Sequence, residues 1–415
     1  MSDRSRLLPF LLAVTACSAA SPTLGVGEVE FAGPPGSGEP HLTATADGRA
    51  VLTWLEPVAG ERYALRFAVR DAAGWSEPRT IAARDDFFVN WADFPSLAVL
   101  TDGTWVTHWL QLAGPGTYAY HVKLAVSRDT GRTWSAPITP HRDRSLTEHG
   151  FVSVVAWRGG AMLVWLDGRQ MREEGSGETG SSEGEMEVGD MSMRATTLDA
   201  DGVRGRDVLL DGRTCECCQT ALVRTANGLV AAYRDRSAEE IRDIAVVRYV
   251  DDGWTDPVHV ANDGFEYPGC PVNGPQLSAR GDTVAIAWYT APRQEARVQA
   301  AFSTDGGATW GAPIPIDDGD PLGRVDVEFL ADGTALVVWL ERTAEAAEVR
   351  ARRVSLDGGA DDSWPVAVTG ESRGSGFPRM SRVGSGVVVA YTLPGEEGGV
   401  RVVAVELSRG AGESE

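Results

Sequence analysis

The sequence predicts an all-β chain folded as a single β-propeller. Three observations carry this: a hairpin unit repeated along the chain, a turn-rich composition with 48 Gly, 22 Pro and 13 Trp in 415 residues, and no long stretch with a 3.6-residue apolar period. The unit is a short apolar strand, a Gly or Asp-Gly turn, and a second strand ending in an aromatic residue. The first three copies are HLTATADGRAVLTWLE, ending near Trp54, FPSLAVLTDGTWVTHWLQ (Trp109) and FVSVVAWRGGAMLVWLDGR (Trp165). QTALVRTANGLVAAYRDR (Tyr233), PQLSARGDTVAIAWYT (Trp288), VDVEFLADGTALVVWLER (Trp339) and FPRMSRVGSGVVVAYT (Tyr391) follow. The aromatic positions are spaced 55, 56, 68, 55, 51 and 52 residues apart. Seven units predict seven blades, with six as the alternative count. After the last unit only one strand remains, Val400 to Ser408. The stretch Gly25 to Ala32 is expected to supply that blade's outer strand and close the ring, which removes an exposed edge.

The propeller is assigned to residues 25–408 and a flexible tail to 409–415. The N-terminus, MSDRSRLLPFLLAVTAC, has a short basic region and an apolar run too brief to span a bilayer, so residues 1–16 read as an export signal. Val14-Thr15-Ala16-Cys17 resembles the bacterial lipobox. That resemblance implies lipidation of Cys17, a tether over 17–24, and a place in the cell envelope: the outer membrane or periplasm of a Gram-negative host. The formal charge of −21 argues against nucleic acid or anionic headgroups as partners. Membrane contact is therefore expected through the lipid alone, and the chain is expected to be a monomer. The long repeat interval holds a Gly-, Ser-, Glu- and Met-rich insertion, residues 170–193, which reads as a solvated loop.

Two segments between the hairpins, 127–134 (SRDTGRTW) and 303–310 (STDGGATW), share the pattern S-x-D-x-G-x-T-W. This pattern resembles the Asp box of the bacterial neuraminidase repeat, and the chain is similar to the sialidase-like propeller superfamily. In that family the Asp box is structural and lies away from the active site, so Asp129 and Asp305 are not catalytic candidates. The family's enzymes have six blades, three substrate-gripping arginines, a tyrosine nucleophile activated by glutamate, and an aspartate acid/base. The first arginine lies in an Arg-Ile-Pro motif, which this chain lacks.

In a propeller, the loops before each inner strand and after each second strand meet at one face around the axis. The repeat register brings Asn90, Trp91, Asp93, Glu148, His149, Cys215, Cys217, Cys218, Cys270, Asn273, Arg324, Asp326, Arg373 and Arg379 to that mouth. The returning loops add Asp167, Arg169, Arg234, Asp235, Arg236, Glu341 and Arg342. Asp167, Arg169, Arg234, Asp235, Asn273, Arg324 and Asp326 are the ligand-binding candidates for a small molecule, glycan or metal. Arg234, Arg324 and Arg379 could grip a carboxylate, since guanidinium groups suit planar anions. The ordinary alternative for each is a salt bridge to a nearby aspartate. Tyr267, with Glu266 or Glu148 near it, is the nucleophile candidate and Asp93 an acid/base candidate. Tyr233 occupies the repeat's packing position.

With Cys17 lipidated, four cysteines remain, three of them in RTCECCQT. Three readings stay open: two structural bridges, a thiolate metal site, and a reactive or exchangeable pair. In an oxidising compartment, the least strained pairing is Cys215–Cys218 with Cys217–Cys270. If the thiols stay reduced, Cys215, Cys217 and Cys218 with Cys270 or His149 form a soft set suited to Cu(I) or Zn, and Met171, Met186, Met191 and Met193 of the insertion would add thioethers. The expected function is ligand binding at a cysteine-lined mouth. The alternative is a divergent sialidase or glycoside hydrolase acting on acidic sugars.

Overall fold

The computed structural model describes residues 23–60, 62–171, 189–384 and 386–408. Seven antiparallel sheets succeed one another along the chain, making a seven-bladed β-propeller. The inner strands are Gly38–Ala44, Ser96–Val99, His149–Trp157, Ala221–Arg224, Gln276–Arg280, Pro321–Phe329 and Arg379–Val383. Each is followed by its hairpin partner, and these second strands carry the repeated aromatic residues. Trp54, Trp165, Trp288 and Trp339 are wholly buried. Every apolar cluster joins two successive sheets: Phe31, Trp54 and Val388 weld the last blade to the first, and Trp288 and Val246 weld the fourth to the fifth. The core is thus distributed as seven wedges between blades, with no single centre.

Ring closure follows the expected scheme. The strand Thr23–Ala32 pairs antiparallel with Gly399–Ser408, from Thr23 opposite Ser408 to Ala32 opposite Arg401, and becomes the outer strand of the seventh blade. The two ends of the described chain therefore share one sheet, and the edge of Gly399–Ser408 is covered.

The repeated aromatic is anchored by chemistry written two residues further on. Trp54 donates its indole N–H to Glu56 at 2.8 Å, Trp165 to Asp167 at 2.8 Å and Trp339 to Glu341 at 2.6 Å. A buried indole N–H needs an acceptor, and a carboxylate at i+2 lies on the same strand face. The two S-x-D-x-G-x-T-W turns are near-copies. Asp129 accepts the Thr133 backbone N–H at 2.8 Å and Asp305 that of Thr309 at 2.9 Å, while Ser127 and Ser303 each accept a glycine N–H at 2.8 Å. Both turns follow third strands, at the end of the ring opposite the mouth.

Of the 170–193 insertion, residues 172–188, Met186 among them, lie outside the described residues. Met191 and Met193 are fully buried in the wedge between the third and fourth blades, and Met171 packs against the same wedge. These three thioethers are packing residues, a correction to the idea of a methionine flap offered to metal. Residues 1–16, expected to be an export signal, Cys17 and residues 409–415 also lie outside the described residues. Among the described residues, no helix is long and apolar enough to cross a membrane.

Candidate functional site

Much of the polar ring at the mouth holds blades to each other. Asp326 of the sixth blade accepts the backbone N–H of Met380 in the seventh at 2.7 Å, and Asn273 of the fifth accepts that of Arg324 in the sixth at 2.7 Å. Gln219 bridges twice, donating to the Ala92 carbonyl at 2.6 Å and accepting the Gly274 N–H at 2.9 Å. Position 274 must be glycine, because a Cβ there would lie 2.0 Å from the Gln219 carbonyl oxygen.

These contacts change the roles of several predicted ligand residues. Arg234 is 1% exposed and spends its guanidinium on three backbone carbonyls, those of Asn273, Arg242 and Tyr289, with the Phe265 ring 5.3 Å away. Burial lowers its pKa to about 10. With its donors already placed, it is unavailable to an incoming anion, and its partners are carbonyls where an aspartate was the expected alternative. Asp167 is fully buried, bound by Trp165 and by a two-point contact from Arg169 at 2.6 Å, and Arg169 also meets Asp207 at 3.3 Å. Asp235 faces His259 at 3.0 Å. Asp326 and Arg379 approach at 3.7 Å and line an axial cavity of about 180 Å³ together with His41, Asp93, Gln219, Gln276 and Glu328. Arg379 thus belongs to the channel beneath the mouth.

The segment Asn90–Phe94 reaches across the axis at the mouth. Trp91, half-buried, stacks on Phe377 of the seventh blade with centroids 5.8 Å apart. The guanidinium of Arg324 lies 4.8 Å from the same ring and that of Arg373 lies 5.9 Å away. Arg324 is largely buried and donates to the Ser372 carbonyl at 3.0 Å, while Arg373 is exposed. Two arginines beside one aromatic ring give a platform with positive charge.

Beside it stands a carboxyl–phenol–carboxyl chain. Tyr120, fully buried, reaches Glu148 at 2.6 Å and Asp93 at 3.0 Å, and Asp93 also accepts the Phe151 N–H at 2.7 Å. Gly150 makes room, since a Cβ there would meet the Asp93 oxygen at 1.9 Å. Burial raises Asp93 to about 7 and Glu148 to about 8; for Glu148 the nearby acids Asp93 and Glu216 add to it. One phenolic proton serves two acceptors, so the pair retains a further proton near neutrality. Tyr120 itself is pushed well above the ordinary tyrosine range, first by burial and then by the two acids. It stays a neutral phenol that bridges the two acids.

Tyr120 is the site residue that inner-strand register could not find, because it opens a third strand, Tyr120–Ser127. Tyr267, the nucleophile candidate, is 42% exposed and stacks on Phe265 at 5.6 Å, so the tyrosine hydrogen-bonded to Glu148 is Tyr120. Glu148 and His149 also separate. Glu148 bonds Tyr120 at the start of the second blade's third strand and feels the charge of Glu216 beside the cysteines, whereas His149 packs on the neighbouring His121.

Cys215 is bonded to Cys218 and Cys217 to Cys270, with Cα–Cα distances of 5.8 and 6.1 Å. In this state the four sulfurs carry no thiolate for Cu(I) or Zn, and the histidine proposed to complete the set packs with His121 and His141 instead. The Cys217–Cys270 bridge clips the fourth blade's loop to the fifth's. Around it Arg236 and Arg242 share Glu216 and Glu240, with Arg242 meeting them at 3.0 and 2.8 Å.

No family model and no curated protein matches the chain. Solved structures do. An ulvan lyase of polysaccharide lyase family PL25, solved bound to -[GlcA(1-4)Rha3S]-, is similar with a TM-score of 0.58 and 10% identity, over 90% of this chain and 94% of that one. A protein of unknown function from Dyadobacter fermentans is similar at 0.51 and 15% identity, over 94% and 100%. The NanB sialidase of Streptococcus pneumoniae matches at 0.48 and 11%, over 94% and 95%. At these identities the similarity concerns the fold.

Proposed function

We propose that this chain is an exported, carbohydrate-active propeller that takes an acidic saccharide at its mouth. The observation that carries the proposal is Trp91, half-buried across the axis, with the Arg324 and Arg373 guanidinium groups 4.8 and 5.9 Å from its ring. An aromatic face matches the apolar side of a sugar ring, and the arginines match its carboxylate or sulfate. Glu148, raised to about 8, carries a proton at neutral pH and would act as general acid on a glycosidic oxygen. The bound saccharide in the PL25 ulvan lyase, a propeller of similar fold, is of the same acidic class. A sialidase-type arginine trio gains no support, since Arg234 is consumed by carbonyls.

The test is a panel of uronate-containing and sulfated glycans, followed by reducing-end release and by the ultraviolet absorbance of unsaturated uronate. Wild type is expected to bind and cleave an acidic member. Glu148→Gln should keep the binding and lose turnover by about a hundredfold or more, the scale of a general acid. A panel with no bound acidic glycan overturns the reading. Export and lipid tethering at Cys17 form part of this proposal, and the two disulfides suit an oxidising compartment. Intact mass with and without reduction and alkylation should show a diacylated Cys17 and no free thiol.

A further inference from the structure

Outside the mouth, the wedge between the second and third blades holds three histidines that the proposed function does not use. His121 sits in the third strand of blade two, His141 in the loop leaving that blade, and His149 at the start of blade three. His141 and His149 are 0% exposed and His121 is 9% exposed. Their ring centroids are 4.1 to 5.0 Å apart, and one ring nitrogen of each lies within 4.8 Å of the others.

The hydrogen bonds decide which nitrogens face inward. His149 Nδ1 lies 3.0 Å from the Thr147 carbonyl and 3.3 Å from that of Tyr120, so it must donate. His141 Nδ1 lies 3.0 Å from the Asp143 carbonyl and must donate too. A neutral His141 ring therefore carries its lone pair on Nε2. At His141 that atom is buried with no partner, as is Nδ1 of His121. At His149 it faces the Asp143 carboxylate at 3.0 Å and that of Asp167 at 3.8 Å. Two imidazole nitrogens are thus buried without a partner, beside a third that meets carboxylate oxygens, and an ion among them would satisfy all three.

We infer that His121, His141 and His149, with Asp143, form a binding site for a divalent transition-metal ion of the Zn²⁺ class. Three imidazoles and a carboxylate are a borderline donor set that suits Zn²⁺, Co²⁺ or Ni²⁺ better than Ca²⁺ or Mg²⁺. Backbone carbonyls holding Nδ1–H of two rings are the orienting contacts that metal-binding histidines use. Asp167 is bound to Arg169 and Trp165, which leaves Asp143, whose side chain is 22% exposed, as the fourth donor and the way in. The near-parallel rings of His141 and His149, at 11°, must tilt apart to aim at one ion. The site ties the outgoing loop of blade two to the first strand of blade three. Its position, chemistry and residues are separate from the cysteine cluster.

The experiment uses the mature chain, freed of any affinity tag and dialysed against EDTA, titrated with Co²⁺ and then Zn²⁺. One Co²⁺ per chain is expected, with the visible bands of a four-coordinate nitrogen–oxygen site, bleached by Zn²⁺. Zn²⁺ should also raise the melting temperature. His121→Gln and His141→Gln, similar in size to the originals, should each weaken binding at least tenfold, and Asp143→Asn should weaken it less. Because the histidines are buried, the melting temperature of each variant without metal identifies any that fail to fold, and the exposed-side Asp143→Asn then carries the test. Cys217→Ser should bind as wild type. Substoichiometric Co²⁺ uptake, or stoichiometric uptake that none of the three site variants reduces, overturns the inference.

Discussion

Asp93→Asn tests whether a buried carboxyl near the mouth is held neutral by the fold. Asp93 is 2% exposed and raised by burial from 3.8 to about 7. The folded state therefore binds the proton more tightly than the unfolded chain does. Its stabilising contribution is complete below the unfolded pKa, falls as pH rises, and is spent above the folded one. At about 1.36 kcal/mol for each pH interval of one, tapering near the folded pKa, wild type should lose about 2.3 kcal/mol through this group between pH 5 and pH 7, and about 2.7 by pH 8. Asparagine keeps the acceptor for the Phe151 N–H, which lies at 2.7 Å in wild type, and carries no proton to lose. Glu148 and Glu328, raised to about 8 and about 7, titrate in both proteins. Subtracting urea-unfolding free energies at pH 5 and pH 8 thus isolates Asp93 together with its coupling to Glu148. The variant should gain about 2.7 kcal/mol relative to wild type over that interval. Parallel pH dependences in the two proteins would refute the reasoning.

Arg234→Met should destabilise by about 3 kcal/mol, because three buried carbonyls lose their donor, and Arg234→Lys should recover only part of it, since one ammonium cannot span three sites in a plane. Denaturant midpoints measure both, and a neutral Arg234→Met would show that the guanidinium is dispensable to the ring. The double variant Cys217→Ser, Cys270→Ser opens a loop with a sequence separation of 53, worth up to about 4 kcal/mol of unfolded-chain entropy. It should unfold at lower denaturant yet bind glycan as wild type; loss of binding in the folded variant would place the bridge within the site itself.

The ring was legible because the aromatic ending of each hairpin recurs at nearly constant spacing, and that spacing is a property of the sheet. The tripeptides Trp54-Leu55-Glu56, Trp165-Leu166-Asp167 and Trp339-Leu340-Glu341 even spell out the indole–carboxylate bond that anchors the repeat. The mouth was legible only as a list of neighbours. Register brings Glu148 and His149 to one end of one strand, yet successive side chains point to opposite faces, and they join different groups. Charge alone also misleads: Arg234 looks like an anion ligand in AYRDRS, but its neighbours in space are carbonyls from three other segments. Tyr120, His121 and His141 escaped because they lie on a third strand and its outgoing loop, away from the inner-strand register.

The most direct test of the account is calorimetric titration of one acidic oligosaccharide and its neutral counterpart into wild type, Trp91→Ala and Arg373→Ala. The acidic ligand is expected to bind wild type and to lose about tenfold or more, ~1.4 kcal/mol, in each variant, while the neutral one binds weakly to all three. Equal affinity of the acidic ligand for wild type and both variants would contradict a saccharide site built on Trp91.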